Sequence, residues 1–284
     1  MIKFPRTLFY ILKIIGIYEF LKKIYLKYFK FLKILKDDIE THLFSNFLNL
    51  KKNNIFIDVG ANKGSIIDKV LLIKKNTKIL AFEPFYKYFL FLKKKYKKNF
   101  QISLFNKAID KNISSKYFYY NNKKIDEEAF SLIRHDRFNK KIKVYTSKLD
   151  QELKNMNIDI VKIDVEGSEY NVLQGSKNTI KKNKPVLFIE ATHKTIFNVN
   201  LFLLKNNYLL FIYEYNIFKK SLFNNWLKGN VITNNKFEKK IYTVSSLKKI
   251  KNSFMVNLIG IHKSRINDLK NIIIIDKKIS TIVN

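Results

Sequence analysis

From position 55 onward, short apolar runs alternate with longer segments whose apolar residues recur at helical spacing. Ile55–Val59, Lys78–Phe82, Ile102–Asn106, Ile158–Asp164, Val186–Glu190 and Tyr208–Tyr213 have strand length and are rich in β-branched and aromatic residues. Between them Ser65–Lys75, Phe85–Lys97, Glu169–Lys177 and Thr195–Asn206 read as helices. Apolar strands alternating with helices predict an α/β fold: a mostly parallel, Rossmann-like sheet with helices on both faces. The rhythm lapses between Lys111 and Ser147, where Lys116–Tyr120 and Lys141–Thr146 read as extra strands inserted over the sheet's carboxyl edge. Residues 216–251 are polar and Asn/Lys-rich, which suggests a second insertion, and Phe254–His262 reads as a last strand. Residues 263–284 form a tail with no clear pattern.

The first fifty residues differ. Leu21, Ile24, Tyr28, Phe31, Leu32 and Leu35 fall on one side of a helix, and the lysines at 22, 23, 27, 30, 33 and 36 on the other. Residues 1–50 are therefore expected to be a basic amphipathic helical extension, and residues 51–262 the main domain. Such a helix suits the interface of an anionic membrane, or packs its apolar stripe on the domain like any surface helix. Leu8–Leu21 is interrupted by Lys13 and Glu19 and is shorter than the ~20 residues a membrane span needs. The expectation is a cytoplasmic protein with at most a peripheral contact at the inner membrane through residues 1–40.

Composition sharpens this in two places. The formal net charge of +32 suggests a polyanionic partner. The abundance of Lys, Asn, Ile and Phe is also what AT-rich codon usage produces, so charge alone does not choose nucleic acid. The absence of cysteine excludes disulfides, thiolate metal sites and a cysteine nucleophile.

The chemistry is concentrated where strands meet loops. In Ile55-Phe-Ile-Asp-Val-Gly-Ala-Asn-Lys-Gly-Ser65, a buried strand carries Asp58 and runs through Gly60, Asn62 and Gly64 into a helix. Small residues there let the backbone approach a ligand, and the helix start offers free N–H groups. The spacing is not Gly-x-Gly-x-x-Gly, and a carboxylate beside the loop repels a diphosphate while suiting an ammonium and a sulfonium. S-adenosylmethionine (SAM) fits this better than NAD. Glu83, in Ala81-Phe-Glu-Pro84, stands where an acid accepts hydrogen bonds from ribose hydroxyls. In Asn106-Lys-Ala-Ile-Asp110, Ala108 or Ile109 is placed to pack on adenine and Asp110 to accept from its amino group.

The densest segment is Asp159-Ile-Val-Lys-Ile-Asp-Val-Glu-Gly-Ser-Glu169. It puts Asp164 and Glu166 at the carboxyl edge, where open α/β sheets bind ligands. They suit a general base, an orienting group for a substrate hydroxyl, or a divalent metal shared with Glu190. Glu169 reads more simply as an acid in a helix's first turn. His193, just past Glu190, is a second candidate base.

Taken together, Val59-Gly-Ala-Asn-Lys-Gly64, Ala81-Phe-Glu-Pro84, Ala108-Ile-Asp110, Leu149-Asp150, Lys162-Ile-Asp-Val-Glu-Gly167, Leu173-Gln-Gly175 and Pro185 to Glu190 resemble the FkbM family of methyltransferases. The resemblance covers roughly residues 53–213. It implies the class I methyltransferase fold, a seven-stranded sheet with a reversed last hairpin. It also implies methyl transfer from SAM to a hydroxyl, in many bacterial relatives on a surface glycan of capsule or lipopolysaccharide type. By that likeness Asp58, Gly60, Asn62 and Gly64 hold the methionine part of SAM, Glu83 holds its ribose, and Asp164 and Glu166 face the methyl group and the acceptor. The acceptor expected is a saccharide or glycolipid. An RNA methyltransferase is the competing enzyme reading, favoured by charge. No Asn/Asp-Pro-Pro-Tyr-like motif for flipped-base chemistry supports it. A catalytically silent SAM-fold scaffold is the third reading.

Overall fold

The structure, a computed structural model, describes residues 39–52, 54–121, 130–134, 138–192, 194–213, 241–243 and 255–270. The expected amphipathic stretch at 21–35, His193 and most of the second insertion lie outside the described residues.

The described chain begins with α1 (Ile39–Asn49), β1 (Ile55–Val59), α2 (Ser65–Ile73), β2 (Lys78–Phe82), α3 (Tyr86–Lys95) and β3 (Ile102–Phe105). The first insertion supplies β4 (Ala108–Ile109), β5 (Ser114–Tyr120), β6 (Phe130–Ser131) and β7 (Lys140–Ser147). Then come α4 (Leu149–Glu152), β8 (Ile160–Ile163), α5 (Glu169–Gln174) and α6 (Lys177–Asn183). β9 (Val186–Thr192), α7 (Ile196–Lys205), β10 (Tyr208–Tyr213), β11 (Ile241–Thr243), β12 (Met255–His262) and α8 (Ile266–Lys270) complete it.

The central sheet runs β11-β10-β12-β9-β8-β1-β2-β3. β3, β2, β1, β8 and β9 are parallel, and β12 enters antiparallel between β9 and β10. This is the expected mostly parallel sheet with a reversed hairpin, widened to eight strands by β11, which pairs antiparallel with β10. Ile-Tyr-Thr is a short β-branched and aromatic edge embedded in Lys/Asn-rich sequence, which hides it from pattern reading.

Each face of the sheet buries its own core. On one, Ile57, Val59, Leu80, Val161 and Ile163 pack against Leu149, Val172, Ile180 and Leu203 of the helices that follow β7, β8 and β9. On the other, Phe56, Ile79, Ile160 and Phe188 meet α1, α2 and α3. α1 belongs to the stretch expected as an extension, yet its Leu43, Phe44, Phe47 and Leu48 are buried at i, i+4 spacing. Phe44 packs edge-on to Phe188 and Phe56 at 4.6 and 5.3 Å between centroids. Burial of each such side chain contributes about 1.5–3 kcal/mol, so this helix is part of the folded domain.

The predicted helix 169–177 is two helices. Gly175 follows α5, and only glycine fits there because a Cβ would stand 2.2 Å from the Asp110 carbonyl oxygen. Asp150 accepts from the backbone N–H groups of Asn178 and Thr179, capping α6. Among the described residues no helix is long and apolar enough to cross a membrane.

Candidate active site

Register across the sheet builds the site. Phe82 pairs with Val59, Val59 with Ile163 and Ile163 with Ile189. The next residues in those strands are Glu83, Gly60, Asp164 and Glu190, so three carboxylates line up across the carboxyl edge with a glycine between them. A side chain at Gly60 is impossible without movement. Its φ is +93°, and a Cβ would lie 1.9 Å from the Asp164 carbonyl oxygen.

After Gly60 the loop folds over the end of β2. The N–H groups of Gly60 and Ala61 donate to the Phe82 carbonyl at 3.0 and 3.1 Å. Asn62, at φ 50°, donates its N–H to one Glu83 carboxylate oxygen at 2.7 Å, and Phe85 N–H donates to the other at 2.8 Å. Burial pushes the Glu83 carboxyl up to about 7, with those two N–H groups acting in the opposite sense. The Asn62 Oδ1 is buried and has no hydrogen-bond partner within the protein.

The loop faces an open cleft. Its floor is Gly60, Asn62 and Glu83, and Ala108 and Ile109 form one wall. Asp164, Glu166 and Glu190 form the other wall. The insertion supplies the roof, with Phe118, Phe130 and Leu132. Phe130 is held by Phe85, Tyr88 and Phe118 at 4.8–5.8 Å. Ser131 Oγ donates to the Glu166 carbonyl at 2.7 Å, tying roof to wall. Glu166 itself sits at φ 52°, a strained conformation for a side-chain-bearing residue.

Asp164 and Glu190 stand on neighbouring strands at the cleft edge, and Glu190 is held above the usual carboxylate range by burial and by the charge of Asp164. Below them Lys162 is buried in β8, with its Nζ 3.4 Å from Glu40 and 3.8 Å from Glu190. Burial works against its charge, but Glu40, Asp164, Glu190 and Asp58 together hold it above the ordinary lysine range. Glu40 is also paired with Lys69 at 3.0 Å.

Three expected cofactor residues do not line the cleft. Asp58 sits inside β1 beside Lys162, buried beneath the sheet. Burial pushes it up to about 8 against the pull of Lys162, and neither carboxylate oxygen has a hydrogen-bond partner. Gly64 precedes α2 at φ 81°; its carbonyl accepts from the Tyr96 hydroxyl at 2.8 Å, and a Cβ would strike that hydroxyl. Asp110 is fully buried, ion-paired with Lys116 through one carboxylate oxygen, while the other has no hydrogen-bond partner within the protein. Glu169 is also internal, accepting from Gly167 N–H and Thr195 Oγ at 2.6 and 2.8 Å. Among the described residues no three Asp, Glu or His side chains gather closely enough to hold a metal ion, so the expected set of Asp164, Glu166 and Glu190 is not assembled. Sequence reading misses Glu40, Lys162 and the roof aromatics. Lys162 carries a signal, since a charge inside an apolar parallel strand needs buried partners.

The Methyltransferase FkbM domain model matches residues 58–210, more than half of the chain. The chain belongs to the FkbM methyltransferase family. Among solved structures it is similar to an FkbM methyltransferase from Methylobacillus flagellatus KT, at 18% identity and TM-score 0.43, over 56% of this chain and 40% of that one. It thus spans about two fifths of that protein's length. It is also similar to TrmK from M. capricolum in complex with S-adenosyl-homocysteine (15% identity, TM-score 0.40, 80% of this chain and 68% of that one). A SAM-dependent O-methyltransferase from Thermotoga maritima gives 10% identity and TM-score 0.42, over 79% of this chain and 65% of that one. No curated protein matches.

The FkbM cleft fits SAM chemically. In a chain of net charge +32 it is lined by Glu83, Asp164, Glu166 and Glu190, and among the described residues its one lining lysine, Lys107, is paired with Glu152 at 2.9 Å. Such a site favours a sulfonium and an ammonium over a diphosphate. The unpartnered Asn62 Oδ1 offers an acceptor for the ammonium, Glu83 keeps lone pairs for ribose hydroxyls, and Ala108 and Ile109 give an apolar wall for adenine.

Proposed function

We propose that this chain is a SAM-dependent O-methyltransferase whose acceptor is a hydroxyl of a saccharide, in a bacterial surface glycan or its precursor. The observation that carries the reading is the Asp164–Glu190 carboxylate pair at the cleft edge, adjoining the Gly60–Asn62 loop. When bound, SAM supplies an electrophilic methyl group on its sulfonium. The protein must then align an acceptor oxygen and take its proton. Asp164 is the group assigned to take that proton, because it follows the last residue of β8 and opens on the cleft. The acid-lined wall also suits a polyhydroxyl acceptor, because carboxylates accept from hydroxyl groups without needing to desolvate a second charge. The saccharide itself comes from the family likeness.

Mass spectrometry of the host's surface glycans, with and without the gene, tests this. The expected result is one methyl group missing from one sugar, restored by the wild-type gene; unchanged glycans would overturn the reading. We further propose that the lysine-rich residues 1–40 bring the enzyme to anionic lipid, where glycan precursors are carried. Full-length protein should then partition onto anionic vesicles more strongly than a chain lacking those residues; equal partitioning refutes it.

A further inference from the structure

The small sheet has two faces, and only the inner one is used by the cleft. Strand alternation sends Phe118 and Val144 inward, where they pack with Ala108. The opposite face carries Ser115, Tyr117 and Tyr119 of β5, paired across the ladder with Tyr145, Lys143 and Lys141 of β7. Outward positions of an antiparallel sheet ordinarily carry small or charged polar residues. Here Tyr145 is 73% exposed and Tyr117 is 51% exposed. Lys141 and Lys143 are exposed beside them, and the Lys141 ammonium lies 4.3 Å from the centre of the Tyr117 ring. Neither strand contains an acidic residue.

None of these rings contributes to the core, and large aromatics left exposed in one group mark a recognition surface. Their spacing follows from the sheet. Tyr117 and Tyr119 are successive residues on one face, about 7 Å apart, and Tyr145 is the diagonal neighbour of Tyr117 at about 7–8 Å. Lys143 stands opposite Tyr117 and Lys141 opposite Tyr119. A ligand complementary to this grid is a chain of rings with apolar C–H faces and negative charges at intervals.

We propose that the outer face of β5 and β7 binds an acidic polysaccharide, a chain of sugar rings bearing carboxylate or phosphate groups. Sugar C–H faces stack on Tyr117 and Tyr145, and the anions pair with Lys141 and Lys143. This rests on the reading of the acceptor as a saccharide and extends it. The same sheet whose inner face roofs the cleft holds the polymer outside, so a sugar further along the chain reaches around the roof's edge to Asp164. A single-stranded nucleic acid satisfies the same charge and stacking; the polysaccharide is chosen because the proposed acceptor is a saccharide.

Titration calorimetry with an oligogalacturonate, a neutral glucan of equal length and an oligouridylate decides the matter. Wild-type protein should bind the oligogalacturonate more tightly than either alternative. Tyr117→Ala/Tyr145→Ala should weaken that binding at least tenfold with SAM affinity unchanged. Lys141→Gln/Lys143→Gln should weaken it and flatten its salt dependence. Unchanged affinity in both variants, or tighter binding of oligouridylate, overturns the proposal. The two readings fail separately. Glycan methylation that is unaffected in both variants rejects this surface alone. Tyrosine-dependent oligogalacturonate binding without any methylated glycan rejects the saccharide acceptor and leaves the surface standing.

Discussion

The tripeptide Ile-Asp-Val occurs in two neighbouring parallel strands of this molecule, as Ile57-Asp58-Val59 and Ile163-Asp164-Val165. The two aspartates have opposite fates. Asp58 pairs in register with Lys162, short of the strand end, and is buried beneath the sheet with no hydrogen bond to its carboxylate. Asp164 follows the last residue of β8, where the sheet has ended, and faces the cleft beside Glu190. Local sequence is the same; the offset from the sheet's edge decides whether the carboxylate is internal or available. Both are followed by glycine turns, so motif reading treats them alike, and only the pairing register separates them.

The largest expected effect falls on Asp164. Asp164→Ala should lower turnover at least ~100-fold, the lower end of what a positioned base contributes, while SAM affinity stays within a few-fold by calorimetry. Near-wild-type turnover would remove Asp164 from the chemistry. Glu190→Gln sharpens this: it removes the carboxyl that burial holds above the usual range, so any limb of the pH–rate profile that this group sets should disappear, and an unchanged profile would separate Glu190 from the chemistry.

Lys162→Met comes next. It leaves Glu40 and Glu190 facing a buried apolar side chain, and breaking such a buried pair costs about 3–5 kcal/mol. Adding Glu40→Gln should recover part of that loss in denaturant melts, because the two groups are coupled. Strict additivity of the two substitutions would show that the 3.4 Å approach carries no energy.

Asp58→Asn should change least at the site, with SAM affinity and turnover close to wild type. Its effect belongs to stability. The carboxyl is pushed from 3.8 to about 8 in the folded chain, which therefore binds more protons than the unfolded chain between those values. Stability falls as pH rises through that window, by up to about 1.4 kcal/mol per pH unit from this group. The asparagine variant should flatten that slope in melting curves recorded from about pH 4 to 8. A tenfold loss of SAM binding instead would return Asp58 to the cofactor site and erase the contrast with Asp164.

Much of the fold can be read from the residues alone. β1, β2 and β10 have the bounds the apolar runs suggest, because central strands buried on both faces leave an unbroken apolar signature. Glu83, Gly60 and Asn62 are legible because a loop leaving a strand for a helix has few ways to fold. What stays hidden depends on contacts distant in sequence. Asp110 suggests an adenine contact because it ends a strand-like run, but Lys116 claims it. Phe130 and Leu132 come from an insertion with no helix period to place them. α1 carries no lysine between Ile39 and Asn49, unlike the segment before it; that break in composition marks the helix that packs into the core, and a boundary drawn at residue 50 passes over it.

That helix has a practical meaning for anyone trimming the enzyme. The span shared with the family, residues 58–210, is shorter than the unit that folds. A fragment cut to it loses α1, and with it Glu40, leaving Lys162 without its closest carboxylate. It also loses β12, the strand wedged between β9 and β10, which exposes an apolar edge on β9 ready to pair with another copy. The smallest portable version of this catalytic domain therefore starts no later than Ile39 and retains Met255–His262, although neither end contributes an atom to the cleft.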